Sequence, residues 1–311
     1  MSETYQISST GLGWLGLAFQ EKNSISPFVL LEKDKADFND SVKEALLVGN
    51  IITSDGTITP DILPALQILA NAEAYTRIRI LGVDAPVDKI TYFKNGMSCS
   101  VDSGPTDFTI TYPAMSQEAG YVMEEFSGSS RVVNVSFQTT LTVKATQVFL
   151  SLLDLSRAEA LCILAGRTGA NAFTVEEIIK KQEEGTSYLW LNRTLKNLIG
   201  DSSLSAGDTD GALQELIGLH YVEQEGNKYS LSKHTYELAM SMLIPNYVFH
   251  ITSATMISSS QAKQSECYAV FCGMHDILYI DQDAKGVTIE TISGSNLYQI
   301  LRKVLTSPLE I

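Results

Sequence analysis

Positive charge is scarce in this chain: 22 lysines and arginines stand against 36 aspartates and glutamates, a formal charge of -14 over 311 residues. A polyanion is held by clustered Lys and Arg that displace its counterions. The balance therefore argues against nucleic acid and anionic membrane as partners, and the acidic surface reads as a solubility device. Cysteine is also sparse. Cys99, Cys162, Cys267 and Cys272 are scattered, and the opening Met1-Ser2-Glu3-Thr4-Tyr5 has no basic stretch before an apolar run, so free thiols in the cytoplasm are expected. Long hydrophobic runs are missing as well. Residues 160–165 fall far short of the ~20 that span a bilayer, while the chain is long enough to build its core without metals or disulfides.

What is present is a string of elements written twice. Glu44, Ala45 and Leu46 lead into Asn50-Ile51-Ile52-Thr53, a turn at Asp55-Gly56 and a helix opened by Thr59 and Pro60. Glu215, Leu216 and Ile217 lead into His220-Tyr221-Val222-Glu223, a turn at Glu225-Gly226 and a helix opened near Ser230 or Ser232. Ile51 to Tyr221 and Gly56 to Gly226 are steps of 170, whereas Phe108 to Val287, Ile110 to Ile289, Val122 to Leu301 and Phe126 to Leu305 are steps of 179. The shift of nine falls in a polar linker around Ser258-Ser259-Ser260-Gln261. We expect two α+β repeats, 1–128 and 129–311, the second holding a helical insert at about 150–232.

Periodicity predicts amphipathic helices over 10–22 and 36–47, with Pro27 to Leu31 between them as a short buried strand or extended crossing. Thr76 to Leu81, Ile90 to Phe93, Ser98 to Val101 and Asp107 to Tyr112 have strand composition, and a helix at 116–127 closes the first repeat. The second opens with a strand at Arg131 to Phe137, which 139–143 prolongs. Ser156 with Glu159 and Thr174 with Glu177 form capping boxes, and Tyr188 to Leu198 and 208–219 give two more helices. Strands at 247–251, 268–271, 277–280 and 287–292 and a helix at 294–306 complete the chain. Strands and helices are segregated, so the fold class is α+β, a duplicated pseudo-two-fold unit with antiparallel meanders and a winged-helix-like insert.

No catalytic constellation emerges. Gly11-Leu12-Gly13-Trp14-Leu15-Gly16, with Glu32 further on, matches a dinucleotide-binding turn, but the preceding Tyr5 to Ser9 is short and polar and no βαβ alternation continues from it. It reads as a glycine-rich helix start, and no cofactor is expected. Cys267, Cys272 and His275 lack a fourth zinc ligand. His220, His234 and His250 have no triad partners nearby, and Asp281 to Gly286 is a hairpin turn. The insert has the order of a winged helix, yet its candidate recognition helix from Asp208 to Leu216 contains no Lys or Arg. A basic patch from Lys180, Lys181, Arg193 and Lys196 would mark the alternative, a winged-helix transcriptional regulator with a sensing domain.

The doubled pattern resembles the EspG family of type VII secretion chaperones. Leu12-Gly13-Trp14-Leu15-Gly16-Leu17-Ala18, the run from Leu46 to Leu69, and the meander and helix from Tyr268 to Leu305 carry the likeness. It implies a non-enzymatic cytosolic protein that binds the helical tips of secretion substrates and keeps them soluble; the long insert departs from the pattern. The expected function is thus an adaptor or secretion-type chaperone holding a helical protein partner. Partner contact is expected at Met256, Ile257, Gln261 and Lys263, where the copies differ and apolar residues stand beside a polar tract.

Overall fold

Along Ala74-Tyr75-Thr76-Arg77-Ile78-Arg79-Ile80, one side of an extended strand carries small and apolar groups while the other carries tyrosine and arginine. This strand is the hub of the molecule. The computed structural model describes residues 2–31, 39–82, 87–104, 106–114, 128, 131–183, 190–199, 203–283 and 285–306. Twelve strands are found among them. They are β1 (Glu3–Ser8), β2 (Ala74–Leu81), β3 (Val87–Lys94), β4 (Met97–Ser103), β5 (Asp107–Tyr112), β6 (Gln138–Leu141), β7 (Val222–Glu225), β8 (Lys228–Leu231), β9 (Tyr247–Ser258), β10 (Gln261–Cys272), β11 (Ile277–Asp283) and β12 (Gly286–Ile292). Ten of them form one antiparallel sheet in the order β1-β5-β4-β3-β2-β9-β10-β11-β12-β6, and β7 pairs with β8 alone. The helices are α1 (Ser9–Gly16), α2 (Pro27–Leu31), α3 (Asp40–Val48), α4 (Leu63–Ala70), α5 (Val143–Leu164), α6 (Val175–Glu183), α7 (Leu191–Ile199), α8 (Ala206–Gly218), α9 (Lys233–Ser241) and α10 (Gly294–Thr306). The α+β class with antiparallel meanders is the observed one.

The duplication is visible in the hydrogen-bond register. Ser100 faces Thr111 in one half and Tyr279 faces Glu290 in the other, each 179 residues on; Phe93 with Ser98 repeats as Cys272 with Ile277. Ala74 faces Phe93 as Tyr247 faces Cys272, so β2 and β9 stand 173 apart. Asn50 and His220, 170 apart, both have positive φ, 55° and 60°. Leu46 O accepts from Ile51 N just as Leu216 O accepts from Tyr221 N. Ser8 and Thr142, 134 apart, cap α1 and α5 at the same φ of -62° and ψ of 157°.

The single shift of nine expected at 258–261 is therefore two steps. Three residues enter in the hairpin after Asn50 and His220, since Thr59 N donates to Ile51 O as Ser232 N donates to Tyr221 O. The other six enter between β9 and β10. Residues 256–263 are not a linker: β9 and β10 run through them and turn at Ser259 and Ser260.

Three cores hold the sheet. On one face α1–α4 pack Leu12, Leu15, Leu66 and Leu69 against Tyr92, Cys99, Val101 and Ile110. On the same face at the other end, Phe149, Leu152, Leu213 and Leu238 of α5, α8 and α9 meet Phe271, Leu278, Ile280 and Ile289. The opposite face sets Leu297 and Leu301 of α10 on Ile251, Val270 and Ile277. Full burial of each such side chain is worth roughly 1.5–3 kcal/mol.

Several local expectations are corrected. Pro27 to Leu31 is the helix α2, not a strand: Ser26 Oγ accepts from Phe28 N, and Pro27 sits at the first helical position, where its missing N–H costs nothing. Residues 131–137 are irregular because Asp276 takes their donors. Its buried carboxylate accepts from Asn134 N at 2.6 Å and Val135 N at 3.2 Å, so the strand begins at Gln138. Ser156 does not open a helix; Thr142 does, and Ser156 lies buried in mid-α5 while Glu159 reaches Ala170 N at 2.8 Å. The Thr174–Glu177 box is present. Thr59 spends its hydroxyl on the carbonyls of Asn50 and Ile51, and α4 starts at Leu63. The helix expected at 116–127 and Tyr188 lie outside the described residues.

Candidate partner-binding site

The site begins where the halves meet. On the face that carries α1–α4 and α5–α9, β2 places Arg77 and Arg79, β9 places His250 and Thr252 opposite them, and β3 places Asp88 beside Arg79. Arg77 forks onto Asp88 with two bonds, 2.7 and 2.6 Å, and Arg79 Nε adds a third at 3.1 Å. Burial raises the Asp88 carboxyl, but the hydrogen bonds and charge of Arg77, with Arg79, outweigh it and hold the group below the usual carboxylate range. His250 is pushed down to about 4, first by burial and then by the charges of Arg79 and of Arg193 on α7. Arg77 and Arg79 thus share one carboxylate, Asp88, and the charge of Arg193 reaches His250 beside them. In a chain of net charge -14 that concentration of positive charge stands out. Arg77 and Arg79 keep 35% and 49% of their side-chain surface exposed, so the strip faces solvent between the two helical cores.

The residues predicted for partner contact form the tip of the β9–β10 hairpin. Ile257 is 67% exposed, Gln261 and Lys263 are exposed, and Met256 is half-buried. The tip is tied to the first half: Met256 N donates to Glu73 O at 2.8 Å and Ser24 N to Ser259 O at 3.2 Å. Sequence reading missed Arg77, Arg79 and Asp88, and it took Arg193 for part of a regulator's basic patch and His250 for a structural histidine. One signal was available, since Arg-Ile-Arg in a strand puts two arginines on one face of an acidic protein; Asp88 and Arg193 join only through the fold.

The other motifs resolve as packing. In α1, an added Cβ on Gly11 would sit 3.0 Å from Ser8 Oγ and one on Gly16 3.0 Å from the Phe28 side chain. The glycines therefore admit close neighbours, and Ser8 already accepts the Gly11 amide. Burial pushes the Cys99 and Cys272 thiols up to about 12. Cys267 lies outside the described side chains, His275 is exposed, and no group of three or more His, Cys, Asp or Glu able to hold a metal is found among the described residues. His220 ends α8 in a turn rather than lying in a strand. In the insert β7 and β8 form a two-stranded hairpin, and Phe173 bridges to Tyr229 of β8. Of the four residues expected to make a regulator's basic patch, Lys181 is only 9% exposed, with its Nζ 3.3 Å from the Trp190 ring centre. Asp208 of α8 pairs with Lys144 at 2.5 Å. Among the described residues, no helix is long and apolar enough to cross a membrane.

No protein-family model matches the chain, and no curated protein matches it in sequence. In structure it is similar to the Mycobacterium tuberculosis type VII secretion system chaperone EspG5, solved in complex with a PE25-PPE41 dimer. The two chains are 10% identical, the match covers 99% of this chain and 96% of that one, and the TM-score is 0.50, so what they share is the fold.

Proposed function

We propose that this protein is a non-enzymatic cytosolic adaptor or secretion-type chaperone that holds a helical protein partner. Its working unit is the pair of repeats, 1–128 and 129–311, and the partner lies along the strip between the two helical cores, reaching the hairpin tip at Met256, Ile257, Gln261 and Lys263. The observation that carries the reading is the exposed pair Arg77 and Arg79 on the central strand β2 of an otherwise acidic chain, with the charge of Arg193 on α7 reaching the neighbouring His250. An open strip flanked by two helical cores suits a helix, and guanidiniums that fork onto carboxylates suit a helix with an acidic face. The near full-length likeness to a chaperone solved with a protein dimer supports it.

The test is affinity capture from the source cytosol with the wild-type chain and with Arg77→Glu/Arg79→Glu. A helical protein retained by the first and lost by the second, with Ile257→Asp weakening it further, is the expected result. Recovery of the same proteins by both baits would remove the strip from the reading.

A further inference from the structure

We infer that the first half holds a small-molecule site, a hollow that takes an amphiphilic monoanion with its apolar body inside and its one carboxylate at the rim against Lys43. The hollow, about 490 Å³, lies between the end of α1, the 51–58 hairpin and the start of α4, and is lined by Trp14, Leu17, Gly56, Thr57, Ile58 and Leu63. That size suits a small ligand, whose sites run to roughly 300–1,000 Å³. The polar groups of the hairpin wall are already spent. Gly56 N donates to Thr53 O at 2.8 Å, and Thr57 gives its N–H and its hydroxyl to Asp55 at 3.2 and 3.1 Å. With Thr53 Oγ1 donating to it as well, the Asp55 carboxylate is folded back into its own turn. The walls therefore offer a ligand apolar contact, and Leu17, 47% exposed, leaves apolar surface in water for a ligand to cover.

The rim supplies the charge. Lys43 of α3 reaches over Gly56, its Cε and Nζ 3.4 and 3.5 Å from where a Cβ on that glycine would stand. Its ammonium makes no hydrogen bond or ion pair with any described residue. In a chain with 36 aspartates and glutamates against 22 lysines and arginines, a cation left without a carboxylate at the mouth of an apolar hollow is complementary to an anion brought from outside. An uncharged ligand would leave that ammonium unused, and a small inorganic anion would leave the walls wet. One apolar body with one carboxylate satisfies both. The site is separate from the arginine strip and does not depend on it.

Decanoate and uncharged decanol are the probes, titrated by calorimetry into the full-length protein; the second stands for an apolar chain without a charge. Decanoate should bind saturably. Lys43→Gln should weaken decanoate roughly two- to fivefold, the effect of one exposed charge pair, and leave decanol unchanged. Leu17→Asp, which sets a carboxylate in the apolar wall, should weaken both by roughly tenfold or more. Lys43 and Leu17 are both exposed, so neither change should disturb the fold. In the unmodified chain, nuclear Overhauser contacts from the decanoate chain to the Trp14 indole give an independent reading. Lys43→Gln acting equally on the two ligands or on neither, decanoate unmoved by Leu17→Asp, or contacts that miss Trp14 would overturn the inference. So would the lack of saturable decanoate binding up to about 1 mM, a level at which even weak contacts register.

Discussion

Ile78 faces Ile251 across the β2–β9 ladder, and each is the other's counterpart in the duplicated unit, 173 residues apart. The pseudo-two-fold axis passes through this pair. Both side chains are buried, 1% and 0% exposed, in the core beneath α10. Ile78→Ala and Ile251→Ala should each cost about 2–4 kcal/mol, chiefly through the cavity left behind. Since the two side chains share one space, the double variant should cost less than the sum of the singles. Urea unfolding of the three variants measures it; strict additivity would mean that the halves do not share a core there.

Asn50 and His220 hold the same left-handed turn, but only asparagine is suited to it. A branched or bulky residue at positive φ costs roughly 1–2 kcal/mol, and asparagine less. His220→Asn should therefore raise stability by a few tenths of a kcal/mol up to about 1, and Asn50→Val should lower it by about 1–2 kcal/mol. Thermal unfolding of the pair checks the sign of each.

The sequence pattern carried the broad outline, and where it failed the reason is physical. Offsets of 170 and 179 pointed to a duplication because turn residues such as Gly56 and Gly226, both at positive φ, leave a strong local mark. The place of the shift was misjudged because polar Ser258 to Gln261 looks like a linker, although a long two-stranded hairpin also ends in a polar tip. Phe28-Val29-Leu30-Leu31 could not be told from a strand by periodicity, since a short buried run is apolar on every side in either form. The arginine strip was legible only as an alternation in β2; its partners arrive from β3, β9 and α7, which no local pattern connects.

Asp154 is the point on which the insert turns. Fully buried in α5, it binds Arg157 Nη1 at 2.7 Å and also caps α7, accepting from Leu191 N at 3.0 Å and Asn192 N at 3.1 Å. Arg157 in turn lies against the Trp190 and Phe271 rings. Burial pushes the Asp154 carboxyl up against the pull of Arg157 and the two amides. Asp154→Ala removes a cap and leaves a buried guanidinium without its carboxylate, so a loss of about 3–5 kcal/mol is expected. Asp154→Asn, which keeps an acceptor for α7, should recover part of it. Chemical denaturation monitored by Trp190 fluorescence reads both, and a tolerated alanine would show that Arg157 relaxes to solvent.

His250 gives the strip a pH signature. Its ordinary value of 6.5 falls to about 4 in the folded protein because burial, Arg79 and Arg193 all oppose a second charge there. The unfolded chain then binds more protons between these values, so stability is full above pH 6.5 and drains away as the pH falls toward 4. Each pH unit across this window is worth about 1.4 kcal/mol, and residual solvent contact trims the whole to roughly 2 kcal/mol. Asp88, also held low, loses its contribution only below its ordinary 3.8 and does not overlap. Comparing the wild type with His250→Gln by urea unfolding at several pH values isolates this contribution: the variant should show a flatter slope between pH 6.5 and 4. Adding Arg79→Gln to the wild type should move the His250 titration midpoint upward when its imidazole resonances are tracked by NMR, and an unmoved midpoint would mean that Arg79 does not bear on it.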